Sequence, residues 1–144
     1  MIESIEFTNF KALRKVTLPL APFTLLLGPN GSGKTSVLQA LEAIAGDAAP
    51  QVRIRRYGSA FAGILWSSVR SVTAENGSPF VEFKLRLRLN KQLVIATFRW
   101  QPNGQAATEF VDENGTSAQP ANTQLAQQWL GRMQMYALDP VAIA

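Results

Sequence analysis

Between Phe23 and Leu41 the chain reads FTLLLGPNGSGKTSVLQAL, an unbroken apolar run that gives way to a glycine-rich turn and then to a helical pattern within a few positions. The run from Phe23 to Leu27 predicts a strand covered on both faces, as in a parallel sheet. After the turn, Val37, Leu38, Leu41, Ile44 and Ala45 form an apolar helical stripe, with Gly46 as a left-handed stop. Strand, tight turn and helix in that order point to an α/β fold.

Gly28, Gly33, Lys34 and Thr35 satisfy G-x-x-x-x-G-K-[ST], a phosphate-binding loop, and they do so after a buried-type strand and at the start of a helix, as that motif requires. Gly28, Gly31 and Gly33 allow backbone angles and a close approach that side chains would block, so consecutive amides can converge on phosphate oxygens. Lys34 is placed to reach the β and γ phosphates and Thr35 to offer a hydroxyl to magnesium. The helix start adds unsatisfied NH groups and the positive end of its dipole. Gly31, Ser32, Gly33, Lys34, Thr35 and Ser36 are therefore expected around ATP, with Mg2+ on Thr35. The bland alternative is a glycine-rich loop with a solvated lysine. With glycine at ~7% of residues, the full pattern arises by accident in well under about one chain in a hundred.

Composition narrows the chemistry. The 144 residues amount to one domain, 47% hydrophobic and 17% charged, and contain neither cysteine nor histidine. That excludes disulfides, thiolate or imidazole metal sites, cysteine nucleophiles and histidine-based triads. No apolar run reaches the roughly 18 residues of a bilayer span, and MIESIEF lacks the basic start of a signal peptide, so a cytoplasmic protein without a membrane partner is expected. The net charge of +4 is compatible with phosphate-bearing partners.

Elsewhere the period is two. Ile5 and Phe7 oppose Ser4, Glu6 and Thr8, and Val16, Leu18 and Leu20 repeat the pattern, which predicts an antiparallel hairpin with Pro19 at a strand end or edge. Phe83, Leu85, Leu87 and Leu89 oppose Glu82, Lys84, Arg86 and Arg88. With Leu93 to Trp100, a third strand near Ala106 to Val111, and the turns LNKQ, PNG and DENG, this predicts an antiparallel meander. Asn122 is expected to cap a short helix carrying Leu125, Trp129 and Met133 on its apolar stripe, followed by a strand at MQMYALD. RIRRYG reads as loop and AFAGILWSSV as strand or short helix. Lys84, Arg86 and Arg88 could track DNA phosphates, as could RIRR at Arg53 to Arg56, but solvated faces are the favoured account. Core packing is likewise favoured for Trp100 and Trp129.

The opening IESIEFTNFKALRKVTLPLAPFTLLLGPNGSGKTSVLQALEAI resembles the N-terminal lobe of RecF, SMC and ABC-type ATPases, with Asn9, Phe10 and Lys11 matching N-F-[KR] and Asn30 matching G-x-N-G-[SA]-G-K-[ST]. The resemblance implies a P-loop NTPase with a mixed sheet and an antiparallel β subdomain. It also implies that Lys11 lies near the nucleotide phosphates and that Asn30 shapes the loop. The organisation expected is one partial domain, with the opening hairpin, loop and helix over 1–50, the antiparallel subdomain over 51–120, and a helix and returning strand over 121–144. Hydrolysis in that family needs an acidic magnesium site after an apolar strand. Asp139 is the one candidate, but Pro140 follows it, and no L-S-G-G-Q signature is present. An ATPase when complete, inactive as this chain alone, is the reading that follows.

In that family ATP is sandwiched between two heads. A head-to-head homodimer or a missing C-terminal lobe is therefore the expected partner, with DNA as a further partner of the full-length protein in DNA repair, chromosome maintenance or phage defence. A chain of this extent should also leave an apolar strand edge uncovered. Two rivals stand beside this reading. A small P-loop kinase fits the loop but not the meander, and a nucleotide-dependent interaction module needs no second acidic site.

Overall fold

The computed structural model describes residues 1–11, 13–48, 80–101 and 106–133. Their strands are β1 (Ile2–Phe10), β2 (Leu13–Pro19), β3 (Val81–Leu89), β4 (Gln92–Trp100) and β5 (Ala106–Asp112). The helices are α1 (Lys34–Ala48) and α2 (Pro120–Gly131). The strands form one five-stranded sheet in the order β2-β1-β3-β4-β5, with every pairing antiparallel.

The two-residue period decides which face is buried. Ile5, Phe7, Phe83, Leu85, Leu87, Val94, Ala96 and Phe98 all point into one core. In β1 the period breaks at Asn9, whose left-handed φ of 58° turns the next residue inward, so that Phe10 is buried as well. Phe10, Phe7 and Trp100 meet Phe83 edge-on at centroid distances of 5.1, 5.7 and 5.2 Å. Burying each ring contributes roughly 1.5–3 kcal/mol, and each edge-to-face pair about 0.5–1.5 kcal/mol more, so this aromatic cluster is a main source of the sheet's stability. Trp100 packs as the sequence suggested.

The hairpin pairs Phe10 with Leu13 and Ser4 with Pro19, and β2 is the edge strand, where the missing NH of Pro19 does little harm. Asn90 and Lys91 link β3 to β4 at φ of 50° and 66°, the two left-handed residues of a tight hairpin turn. At the other end of β5, Asp112 Oδ1 accepts from the amides of Asn114 and Thr116 at 2.9 and 3.1 Å, which fixes the DENG turn.

The helices cover the apolar face and touch each other. On α1 the buried apolar residues are Val37, Ala40, Ala43, Ile44 and Ala45, with Ser36 buried beside them, while Leu38 is exposed; the helix runs through Gly46 to Ala48 and does not stop at Gly46. The small residues Ala40 and Ala43 are therefore buried where Leu38 is exposed, and the closest neighbour of α1 is α2. On α2 the face also differs from expectation. Asn122, Ala126 and Leu130 are buried at four-residue spacing, and Trp129 is 47% exposed. Asn122 does not cap this helix: it begins at Pro120 after Gln119, with no side-chain cap, and Asn122 Nδ2 instead donates to Gln92 Oε1 at 2.6 Å.

The apolar run before the glycine turn is corrected too. Residues 23–27 pair with no strand among the described residues, and Phe23, Leu25 and Leu27 are 83%, 66% and 82% exposed; Leu26 alone packs on the core. The expected coverage on both faces is absent because no described element lies against this segment, so the described sheet lacks the parallel part of a mixed one. The readings at RIRRYG, AFAGILWSSV and PNG, and at MQMYALD from Gln134 onward, including Asp139, fall outside the described residues.

Candidate phosphate-binding site

The glycine turn is held by its own lysine. Ser32 N donates to Pro29 O at 3.2 Å, and Gly31 and Gly33 take φ of 82° and 96°, which an L side chain rarely adopts. Lys34 Nζ folds back over the turn and donates to the carbonyls of Gly28 and Pro29, the latter at 2.7 Å, and to Ser32 Oγ at 3.1 Å. Gly28 needs its missing side chain, since a Cβ there would lie 2.8 Å from Ser32 Oγ.

The first helical bond runs from Val37 N to Gly33 O at 3.0 Å. Helix geometry therefore leaves the amides of Lys34, Thr35 and Ser36 without intrahelical acceptors. They open on a cavity of about 450 Å³ whose walls are Asn30, Gly31 and Gly33 of the loop, Lys34, Thr35 and Ser36 of α1, and Lys11 of the β1–β2 turn. The structure thus gathers seven of the eight expected binding residues around one space. Ser32 is the exception: it does not line the space, and its hydroxyl accepts from Lys34 Nζ.

Two ammonium groups line this cavity, and among the described residues neither is in an ion pair. Lys11 adopts φ of 49°, sits 5.7 Å from the centroid of the Phe10 ring, and donates through Nζ to Gln39 Oε1. Partial burial holds its pKa below the ordinary lysine value of 10.5. The helix dipole adds to the positive field, and the first turn of α1 contains no acidic residue. An anion with several oxygens suits such a space. No cluster of three or more acidic, histidine or cysteine side chains suited to a metal occurs among the described residues.

With this geometry in place, comparison with known proteins is decisive for the family. The AAA ATPase domain family matches residues 1–124. The chain belongs to it. This AAA ATPase domain is 30% identical over 112 residues to the OLD nuclease of Thermus scotoductus, covering 78% of this chain and 20% of that protein. It is 35% identical over 125 residues to the chromosome partition protein Smc of Synechococcus sp., covering 83% and 9%. A solved structure of the recombination mediator protein RecF–ATPrS in the RecFOR pathway aligns over 87% of this chain and 29% of that one, at 18% identity and a TM-score of 0.49. The chain spans about a fifth of the length of the OLD nuclease and less than a tenth of Smc.

The AAA ATPase domain is thus related to OLD and SMC proteins, and the expected α/β P-loop ATPase class agrees with that membership. Nucleotide binding comes with an ATPase family. No helix among the described residues is long and apolar enough to cross a membrane. Sequence reasoning missed the side chain that meets Lys11. Gln39 follows Thr35 by four residues and so shares its helix face, which is the signal that could have found it.

Proposed function

We propose that this chain binds ATP with Mg2+ in the cavity between Lys11 and Lys34, the amides of residues 31–36 facing the phosphates and the Thr35 hydroxyl facing the metal. The observation that carries this reading is that a residue from the β1–β2 turn, Lys11, lines the same cavity as the loop and the start of α1. Phosphate oxygens would meet two ammonium groups, a row of free amides and the positive end of a helix at once.

We further infer that the domain is the nucleotide-binding lobe of a larger ATPase acting on DNA, paired either with a second head or with a C-terminal lobe. Two relatives are named for chromosome partition and for nuclease activity, which supports a DNA-linked role in repair, chromosome maintenance or defence. The organisation as one partial domain and the cytoplasmic location belong to the same reading; Asp139, followed by Pro140, is not assigned as the magnesium acid.

Thermal unfolding with and without MgATP tests the binding. Ligand at about a hundred times its dissociation constant should stabilise the fold by roughly 2.7 kcal/mol, and Lys34→Ala should abolish the shift. A shift of equal size in Lys34→Ala would refute the site.

A further inference from the structure

We propose that Gln39 is a positioning residue: it holds the Lys11 ammonium against the phosphate cavity and thereby sets a preference for the triphosphate over the diphosphate. The proposal rests on the nucleotide reading above and adds to it a residue that does not itself line the cavity.

A lysine in a hairpin turn ordinarily wanders in solvent, because its four-carbon stem has many rotamers and its ammonium is strongly hydrated. Lys11 does not. Its Nζ donates to Gln39 Oε1, and both ends of that bond are fixed to rigid parts of the molecule. On the helix side, Ala40, Ala43 and Ile44 are buried and anchor the segment that carries Gln39. On the turn side, buried Phe10 and the bond from Asn9 Nδ2 to Phe80 O, 3.2 Å long, anchor the residues just before Lys11.

The chemistry of the acceptor matters. A carboxylate at position 39 would neutralise the ammonium it holds, and an apolar residue would release it. The carboxamide accepts a hydrogen bond and leaves the full positive charge facing the cavity. Lys34 is already committed to the carbonyls of the turn, so Lys11 is the second cation that makes affinity rise with the charge of the ligand. Losing its placement should therefore cost a triphosphate more than a diphosphate.

Calorimetry with ATP and with ADP, magnesium present, on wild type, Gln39→Met, Lys11→Met and the double variant tests this. Gln39→Met keeps length and helix propensity while removing the acceptor, and Gln39→Ala with circular dichroism of the unliganded protein guards against a folding defect. The expected result is a loss of about five-fold in ATP affinity, with ADP within about two-fold, and no further loss when Gln39→Met is added to Lys11→Met. Unchanged ATP affinity in Gln39→Met overturns the inference, as does an undiminished loss with Lys11 already replaced. If wild type gives no heat with either nucleotide, the nucleotide reading itself falls; if wild type binds both and the Gln39 variants match it, only the role of Gln39 does.

Discussion

Glu82 on β3 and Arg99 on β4 face each other across the sheet, the guanidinium donating to Oε2 through both Nε, at 2.7 Å, and Nη2. Glu82 is 5% exposed although it lies on the face opposite the aromatic core, and Arg99 covers it while resting 4.6 Å from the centroid of the Phe80 ring. The second cation, Lys84, approaches Glu82 only to 3.4 Å. Arg99→Ala should therefore destabilise the fold by about 2 kcal/mol, whereas Lys84→Ala should cost under about 0.5 kcal/mol. Urea denaturation of the two variants checks the order; equal losses would mean that Glu82 does not depend on its arginine. The basic stripe is thus partly committed to structure, since Arg88 also pairs with Glu3 at 2.9 Å.

Two carboxylates make acid stability sensitive to pH. Hydrogen bonds from the Arg88 side chain lower the pKa of Glu3, and those from the Thr116 hydroxyl and the turn amides lower that of Asp112, from ordinary values of 4.5 and 3.8. A group whose folded pKa is depressed contributes stability that is complete above its unfolded pKa and disappears as pH falls through the folded one. The urea midpoint should hold steady near neutrality and drop as pH falls below about 4. In Asp112→Asn the drop should be shallower; an unchanged profile would show that the turn does not sense this carboxylate.

Much of this fold could be read directly from the chain. Alternation located β1, β3 and β4 because one face of an antiparallel sheet is buried and the other is wet, and Asn90 and Lys91 mark a turn whose neighbours fix its register. Helix faces were less legible: Leu38 and Trp129 look like core residues, yet Ala40 and Ala126 are the buried ones, since close approach of two helices favours small side chains that hydropathy ranks low. The loop residues of the candidate site were legible because the backbone itself does the work there, and glycine spacing records backbone shape. Helix spacing puts Gln39 on the face of Thr35, but its pairing with Lys11 was not legible, because it joins residues 28 positions apart through the tertiary fold.

The segment from Phe23 to Leu27 predicts a measurable surface property. Phe23, Leu25 and Leu27 are exposed beside an apolar hollow of about 390 Å³ lined by Ile2, Leu20, Pro22, Trp129 and Met133. A patch of this kind binds hydrophobic dyes and favours association. Dye fluorescence should be strong for the wild-type chain and fall by about half or more in Leu25→Ser/Leu27→Ser. Weak fluorescence in both proteins would show that the segment is covered in solution.

The last prediction separates two reasons for glycine in one loop. At Gly31 a Cβ meets nothing within 4 Å, but φ is 82°, so Gly31→Ala should weaken the loop by about 1 kcal/mol through backbone strain alone. At Gly28 the obstacle is a neighbour: a Cβ would lie 2.8 Å from Ser32 Oγ and 3.3 Å from Ser32 Cβ. Relieving that clash moves the hydroxyl that accepts from Lys34 Nζ, so Gly28→Ala should lower MgATP affinity by about ten-fold. The two causes call for different rescues. Gly31→Asn should recover most of what Gly31→Ala loses, because asparagine tolerates left-handed backbone angles. Ser32→Gly, added to Gly28→Ala, should recover part of the affinity by removing both atoms the new Cβ strikes. Calorimetric titration of these four proteins decides the matter. If Ser32→Gly fails to improve Gly28→Ala, crowding by Ser32 is not why glycine stands at position 28.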